Sequence, residues 1–330
     1  MPGCDVLSRR GLLAAGGTLL AAPAIGQDAY PSRPLRLVIP FPAGGPTDVY
    51  ARFYSERLSR ELGQPVVTEN RGGAGGAIGS LEVARARPDG LTLLFGTAST
   101  HALYPLVTRQ PQFDVAKDFI AVAEIGGGPL AWVANPSQPA TLAAFMAAAR
   151  SAQPHLSYGS PGTGTLMHLA TELMKQRAGG VPLTHVPYRG AAPAMNDVVG
   201  GTIALGVNTF GAALPLHQGG RARMLGVATP QRHPRAPDIP TVAEALNLPG
   251  FQAVLWHAVF VPPGTPPAIV ARLSQATNTM LADPAFRAAL DGAGIVASEP
   301  GTPASAAAFI AAETERYRPI VEAIRPELDS

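Results

Sequence analysis

Short apolar runs alternate along the chain with longer segments in which apolar residues recur every three or four positions. The run "LRLVIP" (35–40) is typical of a buried strand, and the periodic segment 46–62 after it predicts an amphipathic helix. Two further runs, 65–70 and 91–97, predict strands around a Gly-rich loop and a second helix. This order predicts a parallel sheet with right-handed crossovers. The expected apolar stripe of the first helix is Val49, Tyr50, Phe53, Tyr54, Leu58 and Leu62.

The rest of the chain repeats this alternation. The pattern predicts strands at 130–135, 156–160, 183–188, 203–208 and 222–229. It predicts helices at about 142–149, 166–174, 191–199, 269–281 and 309–324. We interpret the chain as two α/β units without a flexible linker, which favours two lobes with a cleft between them. Ligands in open α/β sheets bind outside the carboxyl ends of the strands.

The segment "PFPAGGPTDVYARF" (40–53) passes from a predicted strand through two glycines into a helix. A helix N-terminus exposes unpaired N–H groups and about half a positive charge, and glycines let the backbone approach a ligand. This loop is therefore a candidate anion site. In the alternative interpretation, Thr47 and Asp48 are ordinary helix caps and the glycines only form a turn.

The segment "YGSPGTGTLMHLA" (158–170) has the same design, with hydroxyl groups beside its glycines. Hydroxyls and free N–H groups form a polar, uncharged nest for an oxyanion. Two such nests, one in each unit, suit either the two ends of a dicarboxylate or both sides of one carboxylate. Two unrelated turns remain the alternative.

Other site signatures are missing from the sequence. The glycines of "NRGGAGGAIG" (70–79) do not have the spacing of a dinucleotide fingerprint, and no Gly-Lys-Ser/Thr sequence of a P-loop occurs. The formal net charge is +2, and no basic cluster indicates nucleic-acid binding. The histidines show no metal-ligand spacing. We expect no cofactor, metal or nucleic acid.

Each of three polar residues has two interpretations, one as part of a functional site and one as an ordinary structural residue. Ser160 resembles the serine of a nucleophile elbow, but Tyr158 stands where that motif needs glycine. His168 is a base in one interpretation and a packing or capping residue in the other. Arg189 in "VPYRG" is either a carboxylate ligand or a solvated arginine.

The N-terminus has the pattern of an export signal. Arg9 and Arg10 precede an apolar run from Gly11 to Ile25 that contains Ala22-Pro23-Ala24. We interpret residues 1–26 as a signal peptide, of possible twin-arginine type. The alternative interpretation is an N-terminal anchor that is not cleaved. The one cysteine, Cys4, precedes the run, so cleavage leaves a chain without a thiol.

Taken in order, these motifs and "VPYRGAAPAMNDVVGG" (186–201) and "VPPGTP" (261–266) resemble one known family. The chain is similar, from about Tyr30 onward, to the periplasmic substrate-binding proteins of tripartite tricarboxylate transporters, the Bug family. The resemblance implies an α/β, two-lobed periplasmic-binding-protein-like fold with a ligand cleft between the lobes. It implies a first lobe of residues 29–127 plus 254–330 and a second lobe of residues 128–253.

The family also implies a small organic carboxylate as ligand, membrane permease subunits as partners and a periplasmic location. The carboxylate would bind in the two loops and at "GTAST" (96–100). Asn208 stands where many relatives have an acidic residue, which argues against amine binding there. The candidate ligand-binding residues are Phe41, Ala43, Gly44, Gly45, Pro46, Thr47, Asp48, Thr97, Ser99, Ser160, Gly162, Thr163, Gly164, Thr165, His168, Tyr188, Arg189 and Asn208.

We expect a monomer that closes on its ligand and is not an enzyme. The first alternative is an enzyme acting on a carboxylate in the same cleft, with Ser160 or His168 in catalysis. The second is a ligand-sensing receptor without a transporter.

Overall fold

The computed structural model describes residues 30–325, so the signal peptide expected at 1–26 lies outside the described residues. The helices and strands alternate as the sequence predicts. The strands of the described part are β1 (Leu35–Ile39), β2 (Val66–Asn70), β3 (Thr92–Thr97), β4 (Ile120–Ala134), β5 (Ser157–Ser160), β6 (Thr184–Pro187), β7 (Leu205–Thr209), β8 (Arg223–Val227), β9 (Val254–Val261) and β10 (Val296–Ala297).

The helices come between these strands. They are α1 (Pro46–Leu62), α2 (Ala77–Ala84), α3 (Tyr104–Val107), α4 (Val115–Asp118), α5 (Leu142–Ser151), α6 (Leu166–Arg177), α7 (Ala191–Val199), α8 (Phe210–Gln218), α9 (Val242–Leu246), α10 (Pro267–Ala282), α11 (Pro284–Gly292) and α12 (Pro303–Ala323). A 3₁₀ turn (Ala74–Gly76) precedes α2, and a π turn (Ser99–Leu103) precedes α3.

The strands form one continuous sheet in the order β2-β1-β3-β9-β4-β7-β5-β6. The pairs β1–β2 and β1–β3 are parallel, as predicted, and so are β5–β6 and β5–β7. The strands β9 and β4 are antiparallel to their neighbours. Both anion-loop candidates, after β1 and after β5, therefore lie at carboxyl ends of parallel strands.

Strand β4 joins the two halves of the sheet. Its first part, Ile120–Pro129, pairs with β9, and its last part, Leu130–Ala134, pairs with β7 and β8. The sequence predicted only the last part, because a run of three glycines (126–128) is not strand-like by composition. The glycines are needed there because β10 packs closely: a Cβ at Gly126 would lie 2.2 Å from the carbonyl oxygen of Val296.

Helix α1 has the predicted bounds, but its buried face includes Ala51 and Ser55 in place of Val49 and Phe53. Tyr50, Tyr54, Leu58 and Leu62 are buried, at spacings of four residues. Val49 and Phe53 are 41% and 38% exposed, so their assignment to the buried stripe is wrong. One of its neighbours is α10, where the Tyr54 hydroxyl lies 2.8 Å from Thr277 Oγ1.

The apolar core is continuous along the sheet. One buried cluster packs α1 and α10 on β1 and β3, with Leu37, Tyr54 and Leu273 among its members. A larger cluster extends from Leu94 on β3 to Trp132 on β4, and so connects the two halves of the sheet.

Candidate functional site

A cavity lies where three helices begin. Gly45, Pro46 and Thr47 reach it from the start of α1, Thr165 and Met167 from α6, and Gly190 and Ala191 from α7. The remaining lining residues are Phe41, Pro42, Ser99, Pro161 and Leu255.

None of the three helices is capped by the side chain of its own N-cap residue. Their N-cap residues are Gly45, Thr165 and Gly190. Within residues 30–325, no acceptor is found for the backbone N–H groups of Thr47, Met167 and Ala191. Each helix N-terminus contributes about half a positive charge, so the three together favour an anion in the cavity.

The lining of the cavity is mostly apolar, with three hydroxyl groups and no charged side chain. Hydroxyl groups come from Thr47, Ser99 and Thr165, and no lining residue is charged. Phe41, Met167 and Leu255 supply apolar surface beside them. Such a lining suits a small molecule that has both an anionic group and an apolar part. The helix ends and hydroxyls can bind the anionic group, and the apolar wall can contact the apolar part.

The cavity is small in this structure. Its volume is about 30 Å³. One water molecule needs at least about 10–15 Å³, so the space suits about two waters. The described conformation is therefore closed around the three helix ends.

Asp48 holds the first loop in shape. Its carboxylate accepts hydrogen bonds from the Gly44 N–H at 3.0 Å, from the Asn70 amide at 2.9 Å and from the Arg52 guanidinium at 2.9 Å. Burial by itself raises the pKa of the Asp48 carboxyl, but these bonds from Arg52, Gly44 and Asn70 prevail and lower it. Asp48 is thus ionised, and its carboxylate oxygens are hydrogen-bonded within the protein.

Two histidines hold the second loop. His168 Nδ1 accepts a hydrogen bond from the Gly164 N–H at 3.1 Å, and His185 Nε2 lies 2.7 Å from Ser160 Oγ. The two imidazole rings stack at 3.9 Å. Burial lowers the pKa of His168 to about 4 and that of His185 to about 3, so both rings are neutral near pH 7.

The pair Ser160 and His185 has the separation of a nucleophile and a base, but its surroundings differ from a catalytic pair. Ser160 is fully buried, and its hydroxyl also donates to the Gly162 carbonyl at 3.1 Å. A base whose pKa is about 3 removes a proton poorly at neutral pH. The contact therefore orders the loop.

Further hydrogen bonds connect α1 and α6 to neighbouring elements of the fold. The Leu166 N–H, at the start of α6, donates to Ser99 Oγ at 3.1 Å. Beneath α1, Thr47 Oγ1 lies 3.3 Å from Nε2 of the buried His257. The Tyr50 hydroxyl donates to Thr209 Oγ1, at the end of β7, at 3.1 Å.

The family model "Tripartite tricarboxylate transporter family receptor" matches residues 50–325. The chain belongs to this family. The resemblance inferred from the motifs is thereby confirmed. Members of this family are binding proteins, so the receptor is a solute-binding protein.

Solved structures with the same fold support this assignment. BugD, a periplasmic binding protein, is 31% identical, with a TM-score of 0.84 over 89% of the receptor and 98% of BugD. Rpa4515 of R. palustris, with adipate, is 35% identical, with a TM-score of 0.84 over 89% of the receptor and 97% of Rpa4515. MatC (Rpa3494) of Rhodopseudomonas palustris, with bound malate, is 32% identical, with a TM-score of 0.83 over 88% of the receptor and 100% of MatC. The predicted two-lobed α/β fold is confirmed.

The candidate residues of the receptor fall into three groups. Those that line the cavity are Phe41, Gly45, Pro46, Thr47, Ser99 and Thr165. Those that belong to the same loops without lining the cavity are Ala43, Gly44, Asp48, Thr97, Ser160, Gly162, Thr163, Gly164 and His168. Tyr188, Arg189 and Asn208 are the third group and are also outside the lining.

Each residue of the third group is engaged elsewhere or exposed. The Tyr188 hydroxyl donates to the Asp197 carboxylate at 2.6 Å. Arg189 is exposed and makes no hydrogen bond or ion pair with another residue in the range 30–325. Asn208 is buried, and its side-chain oxygen accepts from the Thr209 N–H at 2.8 Å.

Six lining residues were missed by the sequence analysis: Pro42, Pro161, Met167, Gly190, Ala191 and Leu255. For two of them a signal was present. "VPYRGAAPA" repeats the order of strand, glycine and helix that marked the other two loops, with Gly190 before α7. The φ angle of Gly190 is 120°, which only glycine adopts readily.

Proposed function

We propose that the receptor captures a small organic carboxylate between its lobes and delivers it to the permease subunits of a tripartite membrane transporter. The observation that carries this proposal is the meeting of three helix N-termini, none capped by the side chain of its own N-cap residue, at a cavity without a charged side chain. Free N–H groups there serve carboxylate oxygens as they serve phosphate.

The ligand class follows from the lining and the relatives. Adipate and malate, found with Rpa4515 and MatC, are both aliphatic dicarboxylates. The receptor offers the Thr47 and Ser99 hydroxyls for carboxylate oxygens, and Met167 and Leu255 for the carbon chain. The Thr165 hydroxyl donates to the Gly162 carbonyl at 2.7 Å and so holds the second loop in shape. We assign the carboxylate to the loops 41–48 and 160–165 and to the start of α7.

Release and capture require the lobes to separate, because a cavity of about 30 Å³ is too small for such an acid. We assign residues 29–127 and 254–330 to the first lobe and 128–253 to the second. The change of partners along β4, from β9 to β7 and β8 after Pro129, supports a boundary near residue 129. The acid stabilises the closed form only through contacts it makes with both lobes.

The proposed place of action is the periplasm. The family and the BugD structure support it, and so does the N-terminal export pattern. In residues 30–325, no helix is both long and apolar enough to cross a membrane. The expected monomeric state stays a prediction.

The test is isothermal titration calorimetry with adipate, malate and a panel of other organic acids. We expect one acid to bind with a stoichiometry of one. The variant Gly45→Val places a side chain in the cavity at a backbone conformation that valine tolerates (φ −84°, ψ 170°), so it should lose binding and keep its fold. Equal binding by the variant would contradict the assigned site.

The same samples separate binding from catalysis. We propose that the acid is carried unchanged, which the buried Ser160 and the low pKa of His185 support. Mass spectrometry of the bound acid over time should find a constant mass. A change of mass that Ser160→Ala abolishes would instead establish an enzyme.

A further inference from the structure

A second cavity, of about 830 Å³, lies between α12 and the segment 105–121. It shares no lining residue with the cavity at the helix ends. Its volume is typical of small-molecule sites, which measure about 300–1,000 Å³. Most of its lining is apolar: Pro105, Pro111, Phe113, Val115, Ala116, Phe119, Ala121, Phe260, Ala307, Ile310 and Ala311.

His101 lies in the wall of this cavity with one ring nitrogen unused. The side chain is fully buried, and Nε2 has no hydrogen-bond partner. Its ring stacks on Phe260 at 3.9 Å and meets the ring of Phe119 edge-on at 4.7 Å. A buried polar atom without a partner is uncommon and costs stability, so it indicates a group that can bind there.

The neighbours of His101 define what Nε2 can bind. Its Nδ1 lies 2.8 Å from Thr100 Oγ1, whose hydroxyl donates to the Thr97 carbonyl at 3.2 Å. In the arrangement that we propose, the hydroxyl proton is used in this way, and Nδ1 carries the imidazole proton and donates to Thr100. Nε2 is then a hydrogen-bond acceptor, and a ligand for it must provide a donor.

The rim of the cavity disfavours anions. Its carboxylates belong to Asp114, Asp118 and Glu315. Two of them already have cationic partners, since Lys117 lies 3.0 Å from Asp114 and Arg318 lies 2.7 Å from Glu315. A cationic ligand therefore gains little from the rim, and an uncharged one fits the apolar wall best.

We propose that this second cavity binds an uncharged aromatic alcohol whose hydroxyl donates a hydrogen bond to His101 Nε2. The rings of Phe113, Phe119 and Phe260 supply the surface for its aromatic body. Nε2 is out of contact with solvent in this structure, so a side chain must turn to admit the hydroxyl. Phe113, at 6.3 Å from the His101 ring, is the most distant of the three rings.

The second site would lie beside the first. His101 and Ser99 belong to the same π turn, and Ser99 lines the cavity at the helix ends. Turns of this kind are frequent at functional sites. Binding in the second cavity does not depend on the function proposed for the first, because the two cavities share no lining residue.

The test is calorimetry with three compounds that share one ring system: 2-naphthol, 2-methoxynaphthalene and 2-naphthoate. We expect 2-naphthol to bind with a stoichiometry of one. The methoxy compound, which lacks the donor, should bind roughly three- to tenfold more weakly, and the anion more weakly still. Absence of 2-naphthol binding at millimolar concentration, or equal binding of the methoxy compound, would overturn the proposal.

Variants locate the binding. Ala311→Trp places a large ring in the cavity from an exposed position, and it should abolish binding of 2-naphthol. Ala312→Trp, at the next exposed position of α12 and outside the lining, is the matched control and should leave binding unchanged. Gly45→Val should also leave it unchanged. Binding that survives Ala311→Trp, or is lost in Gly45→Val, would contradict the site.

Discussion

The backbone N–H of Leu166 donates a hydrogen bond of 3.1 Å to the hydroxyl of Ser99. Leu166 is the first residue of α6, whose own N-cap residue, Thr165, provides no side-chain cap. Ser99 thus supplies from the π turn the hydroxyl that the helix lacks. In the proposed division the two residues belong to different lobes, so the bond favours the closed form.

Removal of this hydroxyl should favour the open form. A helix cap contributes about 1 kcal/mol, so Ser99→Ala should weaken the binding of an organic acid about fivefold or more. Small-angle scattering of the acid-free protein should show a larger radius of gyration. Ser151→Ala, at an exposed hydroxyl at the end of α5, is the control. An unchanged radius and affinity for Ser99→Ala would show that the bond has no role in closure.

Loss of the Asp48 carboxylate should cost more than loss of an exposed ion pair on the same helix. Asp48→Ala leaves the Gly44 N–H without its acceptor and leaves the Asn70 amide with only the Phe41 carbonyl, which costs about 1–3 kcal/mol. Glu56→Ala removes only an exposed pair with Arg60 and should change the free energy of unfolding by less than about 0.5 kcal/mol. Urea unfolding measures both values. Similar losses would contradict the role of Asp48 in the loop.

Two threonines of the second loop should differ in their effect on acid binding, although the sequence marks both. Thr165 lines the cavity, whereas Thr163 is exposed and outside the lining. The Thr165 hydroxyl donates to the Gly162 carbonyl at 2.7 Å and holds the backbone of the loop, so Thr165→Val should weaken acid binding. Thr47→Val removes a hydroxyl that can donate to the acid, and because hydrogen bonds to a charged group contribute about 1.5–3 kcal/mol, it should weaken binding roughly 10- to 100-fold. Thr163→Val should bind as the unmodified receptor does, and calorimetry decides between these outcomes.

The receptor should lose stability as the pH falls from about 6.5 to 4. Burial lowers the pKa of His101 and His257 to about 3 and that of His168 to about 4, whereas the unfolded chain has histidines near 6.5. Below pH 6.5 the unfolded state therefore binds protons that the folded state does not. Each fully buried histidine then lowers the free energy of unfolding by at most about 1.4 kcal/mol per pH unit.

Urea unfolding at pH 7, 6 and 5 measures this slope. His101→Phe should make the slope shallower, because one low-pKa group is gone. His155→Gln, at an exposed histidine, should leave it unchanged. A stability that is constant between pH 7 and 5 would contradict the neutral, buried state of these rings.

The sequence predicted the parts of the fold that depend on nearby residues. Helix α1 and strands β1, β2 and β3 lie where their apolar patterns place them. The first part of β4 was missed because its pairing with β9 and β10 is formed by residues far away in the chain. Val49 and Phe53 were wrongly assigned to the buried face of α1, because the periodicity of a helix does not show which of its sides faces the rest of the protein.

The candidate site was predictable to a similar degree. The glycine loops after β1 and β5 could be recognised by their order of strand, glycine and helix. The direction of each hydroxyl could not be predicted, because it depends on backbone angles such as the φ of 146° at Gly162 and 76° at Gly164. Leu255 reaches the cavity from β9, and only the order of strands in the sheet brings it there.

The central claim is that a carboxylate binds at the N-termini of α1, α6 and α7. Amide ¹H–¹⁵N spectra of the receptor, recorded during titration with the acid that calorimetry identifies, test it most directly. If the carboxylate binds there, the largest downfield proton shifts should occur at the N–H groups of Thr47, Met167 and Ala191, which have no acceptor in residues 30–325. An acid that binds with a stoichiometry of one and leaves these three amide protons unshifted would contradict the account.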